Sequence, residues 1–526
     1  VSQFKAKIKQ TGPQSHIITP ADDKHIEYKY FIDPNAPDQG AATGGGSRSI
    51  KDFVDSIGTS MNATLFLPHT RASNTTTYTL TTSETIPSNI ALEFGNGAVL
   101  AGAGTLTING PFSSGLNQCF NMSGGIAFGA GSVQDIHLDW FGFSSDATAA
   151  NNDTYFTNAV ASMSAGQRLI VPAGTTEIEN VVFNPTDGCG LVFNGILESG
   201  ATGTALTVGS TATYHDYYHI ENLKVNSSTK DHTAGRIGVL FANVQKSYIN
   251  IRRVYGFETG VKLFGYGQGC VYNEVHLGNL LDNKYSLHLD SDSNGWCNEN
   301  NFYGGSFQWS SSTDTAGFRH IWLDYYATNQ LNNTRFYGAS LESTASAGLD
   351  TAVGIYNESL NSAFFLPRFE MDSNNTIISN TANCDDAVYF FGYGLYHIAQ
   401  TNISDSGART KVWGGNSIRF GGGIDNSDTG ILHLTNTSTE GTAPVISIHG
   451  TDDVVNGKFF GDGSVLALKY SVGANQVVGA QQTGISAMTN VTPPANWDAD
   501  TVTTAELADI VGTLITKLRT HGLVAN

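Results

Sequence analysis

The chain is predicted to be all-β, a solenoid of short strands stacked coil on coil. One phrase recurs about every 24–34 residues through its middle third. Asn300 to Gln308 reads NNFYGGSFQ, Asn333 to Glu342 reads NTRFYGASLE, and Ala363 to Glu370 reads AFFLPRFE. Upstream, IENLKV from Ile220, INIRRV from Ile249 and VHLGNLL from Val275 keep a similar interval. A period of this size without helical patterning marks repeats that bury their apolar faces only by stacking on one another. Composition agrees. Charged residues make up 14% of the 526 residues, below the roughly 25% of ordinary domains, and 59 glycines supply turns. Low charge spares stacked coils repeated like-charge contacts. Lastly, a strong helix pattern occurs only at the C-terminal end.

Taken in order, residues 1–40 are polar, carry Pro13, Pro20, Pro34 and Pro37, and are expected to form an arm or linker. Residues 41–139 read as a capping and first solenoid region. A short amphipathic helix is predicted over Ser49 to Ile57, then a strand LFLP, then strands in TYTLTT, NIALEF and GTLTING. The same order returns after Trp140-Phe141-Gly142, with a helix predicted over Tyr155 to Met163 and an apolar strand running into Pro172. Each helix is expected to cover the open end of a stack, where backbone and core would otherwise be exposed. Residues 140–427 are the central solenoid. Residues 428–489, with GILHLTN, APVISIHG and GKFFGDG, read as antiparallel strands with Gly turns, a small β-sandwich-like domain. Residues 490–526 are a Pro-containing linker and a helix. Thr503-x-x-Glu506 forms a capping box, Leu507, Ile510, Val511, Leu514, Ile515 and Leu518 share one face, and Gly522 follows as a stop. An isolated helix of this length is marginal, so its apolar face is expected to pack on symmetry mates.

A formal net charge of −19 argues against nucleic acid, which needs a basic stripe to release counterions, and against an anionic membrane. The start has no apolar signal-peptide core, and no stretch of 18 apolar residues occurs, so neither a Sec signal nor membrane insertion is expected. The five cysteines share no short spacing and are expected to be buried thiols of a protein made in a reducing cytoplasm.

With these elements in order, the chain resembles bacteriophage tailspikes built on a pectate-lyase-like right-handed parallel β-helix. The resemblance rests on the doubled cap (LDWFG and VPAG), the coils NENNFYGGSF and TRFYGASLES, the strand FFGDGS and the terminal helix ELADIVGTLITKL. It implies a homotrimer on the virion tail, made in the host cytoplasm and acting at the host surface. It further implies binding, and usually endolytic cleavage, of a bacterial capsule, exopolysaccharide or O-antigen, without a cofactor. Attachment to the tail or baseplate would use an N-terminal part, short or missing here, where the first residue is Val1.

The repeat also proposes a site. If Phe307, Leu341 and Phe369 point inward, then Gln308, Glu342 and Glu370 form an outward column. Strands about 4.7–4.9 Å apart bring the carboxylates of Glu342 and Glu370 near the roughly 5–5.5 Å of a retaining glycosidase pair. Like charges that close do not both ionise cheaply, so one is expected to keep its proton as a general acid. Asp372 is a third carboxylate on that face. Arg335, Arg368, Trp309, Tyr337 and Gln308 are the expected substrate contacts. Hydrolysis is favoured over β-elimination, for which His276, His320, Tyr337 and Arg335 supply bases and cations in no diagnostic arrangement. A spike that binds glycan without cutting it is the alternative. Asp290, Asp292 and Glu299 form a further carboxylate group. DxDxNG imitates a calcium loop, but Asn301 stands where its twelfth-position acid belongs, and no metal is expected. Cys384-Asp385-Asp386 carries too little of the polygalacturonase pattern to be read as a site.

Overall fold

A computed structural model describes residues 7–10, 16–19, 28–42, 48–70, 74–310, 317–324, 331–343, 352–371, 375–391, 403–407, 410–414, 417–420, 431–433, 444–449, 455–460, 465–467, 470–472, 475–478 and 503–520. The chain divides into two compact units, residues 1–387 with 397–406, and residues 388–396 with 407–526.

The first unit is a right-handed parallel β-helix. Its opening coils are three-sided. Strands Ala63–Leu67, Thr76–Thr79 and Glu84–Ile86 are followed in parallel by Ile90–Phe94, Ala98–Gly102 and Leu106–Ile108. Stacking begins earlier than the sequence indicates: Tyr28–Phe31 pairs in parallel with Ala63–Leu67, so part of the expected arm is a coil strand. Polar composition concealed it, because only alternate residues of a strand must be apolar.

The helix Ile50–Ile57 follows Ser49, whose buried hydroxyl accepts from the Asp52 amide at 3.1 Å and donates to the Ala41 carbonyl at 3.0 Å. The second helix is Ala149–Ala161, starting well before the predicted Tyr155. Its N-terminal half escapes apolar periodicity because Asn152 is its buried anchor, donating to the carbonyls of Ser144 (3.0 Å) and Glu177 (2.9 Å).

Beyond it the coils stack on two long ladders. One runs through Gly190–Phe193, His219–Ser227, Tyr248–Tyr255, Glu274–Leu281 and Asn301–Trp309. The other runs from Val181–Phe183 through Thr204–Gly209, Ile237–Ala242, Thr259–Gly265, Tyr285–Ser291, Arg319–Leu323, Val353–Asn357 and Thr376–Asn380 to Ile403–Asp405. Ladders of one residue type hold the interior, such as Asn273 donating to Asn300 Oδ1 at 3.0 Å from side chain and 3.1 Å from backbone. All five cysteines are free and buried.

In the second unit, Ile431–His433, Pro444–His449, Val455–Phe460 and Val465–Ala467 form an antiparallel sheet, and Tyr470–Val472 pairs with Asn475–Val478. The helix Thr504–Thr520 leaves Leu507, Val511, Leu514 and Ile515 exposed. Among the described residues no helix is long and apolar enough to cross a membrane.

Candidate functional site: the outward face of the first ladder

Val225, Val254, Leu280, Phe307 and Leu341 stack as a buried column. Since side chains alternate across a strand, both flanking columns face out. One is Lys224, Arg253, Asn279, Ser306, Ser340 and Arg368; the other includes Gln308, Glu342 and Glu370. The strands bend at Gly304 (φ 70°) and Gly305 (φ 103°), and on the next coil at Gly338 (φ 73°). That bend splits the coil into Arg335–Tyr337 and Ser340–Ser343, and it explains why the repeated phrase keeps Gly after Phe-Tyr.

Glu342 is held from three sides. Gln308 Nε2 donates to one carboxylate oxygen at 3.0 Å, Ser340 Oγ to the other at 3.0 Å, and Arg368 Nη1 lies 3.6 Å away. Arg368 also makes a close ion pair with Glu370. The sequence expected a proton to relieve the carboxylate pair; here a guanidinium stands between them and supplies the compensating charge. Glu370 is the freer of the two, 53% exposed against 27% for Glu342. Asp372 lies outside the described residues. Arg335 is exposed and forms no ion pair among the described residues, whereas Trp309 is 1% exposed and is not a sugar contact. It closes the coil interior against Phe318, Ala352 and Met371, because an indole on the inward side of the last strand residue fills a gap that smaller side chains leave.

Outside this column the face carries an aromatic ladder of which the sequence singled out His276 and Tyr337, as separate residues and not as a stack. His219, Tyr248, His276, Tyr303, Tyr337 and Phe365 follow one another with ring centroids 4.9, 5.2, 5.0, 5.1 and 5.0 Å apart. Carrying the register of the repeated phrase upstream would have revealed it. Most neighbouring rings are near-parallel, so they cover one another's faces and present edges outward. His219 and His276 bond to Glu221 (2.6 Å) and Glu274 (2.8 Å).

On the second ladder, His288, Asp290 and Asp324 come together as a set with metal-ligand chemistry. His288 Nε2 is 3.1 Å from Asp324 and 4.0 Å from Asp290, while Lys262 Nζ sits 2.8 Å from Asp290. The ammonium already occupies the position from which a cation would neutralise Asp290, so the set fits a Lys262–Asp290 ion pair with His288 hydrogen-bonded to Asp324 better than a metal. Asp292 is used locally, accepting from the amides of Gly267, Asn294 and Gly295, which hold it below the usual carboxylate range against burial.

Burial, aided by Lys262 and Arg319, lowers His288 to about 3. Burial likewise lowers His320, whose Nε2 bonds the Glu342 carbonyl at 3.0 Å, to about 3. Both imidazoles are thus neutral in the fold, and below the unfolded value of about 6.5 the unfolded chain takes up protons first. Their contribution is complete above about 6.5 and is lost progressively toward pH 3. Melting temperature is expected to fall between pH 7 and pH 4.5, and His288→Gln to show a smaller fall over that interval; an equal fall would show that His288 is not among the groups responsible.

No protein-family model and no curated protein matches the chain. Among solved structures it is similar to ORF18 of Geobacillus virus E2, at 12% identity over 68% of this chain and 81% of that one, with a TM-score of 0.32. It is also similar to a tailspike mutant of Escherichia coli bacteriophage HK620 in complex with a pentasaccharide. That match has 13% identity over 69% of this chain and a TM-score of 0.25, and this chain spans 61% of the HK620 tailspike. A family 28 exopolygalacturonase of Yersinia enterocolitica matches at 12% identity over 75% of this chain and 80% of that one, TM-score 0.19. A phage tailspike, the kind of protein the sequence resembles, is therefore among the similar structures. At these identities and scores the chemistry of the site rests on this chain's own residues.

Proposed function

We propose that the chain is the glycan-handling body of a phage tailspike, a homotrimer that binds a bacterial surface polysaccharide and cleaves it endolytically by hydrolysis. The observation that carries the reading is the pair Glu342 and Glu370 on adjacent coils of an exposed face, in register and joined by Arg368. Neighbouring strands lie about 4.7–4.9 Å apart, near the spacing of a retaining pair. Glu342, fixed by Gln308 and Ser340, is the nucleophile; Glu370 is the proton donor, taking a proton from solvent once Arg368 turns from it to a substrate oxygen. Protonation of the glycosidic oxygen by Glu370 breaks the C1–O bond as Glu342 bonds to C1. Water, deprotonated by Glu370, then releases the sugar. The open helix Thr504–Thr520, with its exposed Leu507, Val511, Leu514 and Ile515, supports trimerisation.

One observation favours a second reading. Arg368 satisfies both carboxylates at rest, as it would in a spike that binds without cutting. Incubation with purified capsules, exopolysaccharides and O-antigens separates the two. Shortened chains with new reducing ends are the expected result. Full-length polymer that nevertheless binds would establish the receptor, and ultraviolet absorbance from unsaturated uronates would establish a lyase.

A further inference from the structure

Cations in the first unit are mostly paired: Arg168 with Asp135, Lys230 with Asp282, Arg236 with Asp231, Lys246 with Asp216, Lys262 with Asp290. Among the described residues Arg335 stands without an ion pair on its own, and Lys284 and Arg319 lie over aromatic rings, whereas Lys224, Arg252 and Arg253 are unpaired and close together. They lie on two adjacent strands, Lys224 and Arg253 directly in register, and none has an ion-pair partner among the described residues. Lys224 reaches only the Asn194 carbonyl, at 3.4 Å. Arg253 Nε is shielded from solvent with no hydrogen-bond partner, and its guanidinium lies 5.3 Å from the Tyr255 ring. A guanidinium nitrogen left in that state costs free energy, which a turn of the side chain onto a ligand oxygen would return. The ladder is irregular here, and between buried Ile251 and Val254 both the exposed Arg252 and the half-buried Arg253 turn outward beside the half-buried Lys224; in a chain of net charge −19 such a group is complementary to an anion.

Their column leads to the proposed reaction centre. Asn279, Ser306 and Ser340 follow Arg253 on successive coils, so three strand spacings, about 14 Å, separate Arg253 from the serine that holds Glu342. Resting on the glycan reading above, we propose that Lys224, Arg252 and Arg253 bind a carboxylate of the polysaccharide a few sugars from the scissile bond, and that the substrate is therefore an acidic glycan. The planar fork of Arg253 matches a carboxylate with two parallel hydrogen bonds.

The test uses the full chain and capsular polysaccharides in two groups, one containing uronic or sialic acid and one neutral, with each acidic polymer also supplied after carboxyl reduction. Binding to an acidic polymer, at least tenfold weaker after its carboxyls are reduced and weakening with salt, is expected. Arg252→Gln with Arg253→Gln should weaken binding by tenfold or more and flatten the salt dependence. Lys224→Gln with Arg252→Gln, which spares the shielded guanidinium, repeats the test where the first pair disturbs the fold. Equal binding to neutral or carboxyl-reduced polymer, or unchanged binding by folded variants, overturns the proposal while leaving the glycan reading intact. No binding to any polymer removes the glycan reading, and this proposal with it.

Discussion

Replacing Glu342 by Gln is expected to lower polysaccharide cleavage by about 10²–10⁴-fold, the usual scale for losing one group that acts on the reacting atoms. The change keeps the shape of the side chain, whose amide oxygen still accepts from Gln308 while its NH2 donates to the Ser340 hydroxyl, and it removes the charge and the nucleophilic oxygen. Melting should barely move, because a half-exposed ion pair at 3.6 Å contributes little. Glu370→Gln should cause a loss of similar size, smaller on a substrate whose leaving group needs no proton. Product formation measured by reducing ends decides the matter. Near-normal turnover in both variants would eliminate this pair and leave binding as the function of the face.

Phe336→Ala is expected to be the most destabilising single change on this ladder. Phe302, Phe336 and Phe364 stack with centroids 4.7 Å apart on both sides and interplanar angles of 9° and 2°, and Phe336 is 2% exposed. Truncating a buried phenylalanine costs about 3–5 kcal/mol through lost burial and the cavity left behind. In a solenoid each coil is stabilised mainly by its two neighbours, so the cavity weakens both interfaces at once. The denaturation midpoint should drop accordingly. Phe365→Ala, next in sequence to the inward Phe364 but pointing outward, should cost under about 1 kcal/mol. Comparable costs for the two would mean that the inner stack does not hold the coils together.

These cases show which features were legible. The FYGG and FYGA phrases carry both the coil period and its bend, because the glycines adopt positive φ at Gly304, Gly305 and Gly338 and few other residues do so cheaply. Phe307 and Leu341 could be read as buried, and Gln308, Glu342 and Glu370 as one column, because a strand alternates with a period of two. Trp309 was legible by the same rule, since it lies two residues beyond the inward Phe307 on one strand; the expectation of a sugar contact followed its aromatic character instead of its register. The helix Ala149–Ala161 began earlier than apolar spacing indicated because a buried amide, Asn152, does the work that a hydrophobic residue usually does.

The sequence by itself determined the stacked all-β architecture and the register of the carboxylate column, since both follow from short-range alternation repeated at a near-constant interval. Only the tertiary structure decided how charges met. Arg368 settles between two glutamates on neighbouring coils and Lys262 reaches Asp290, while Lys224, Arg252 and Arg253 are left without carboxylate partners among the described residues. Coulomb attraction acts through space and not along the chain, and turns of unequal length set which side chains become neighbours.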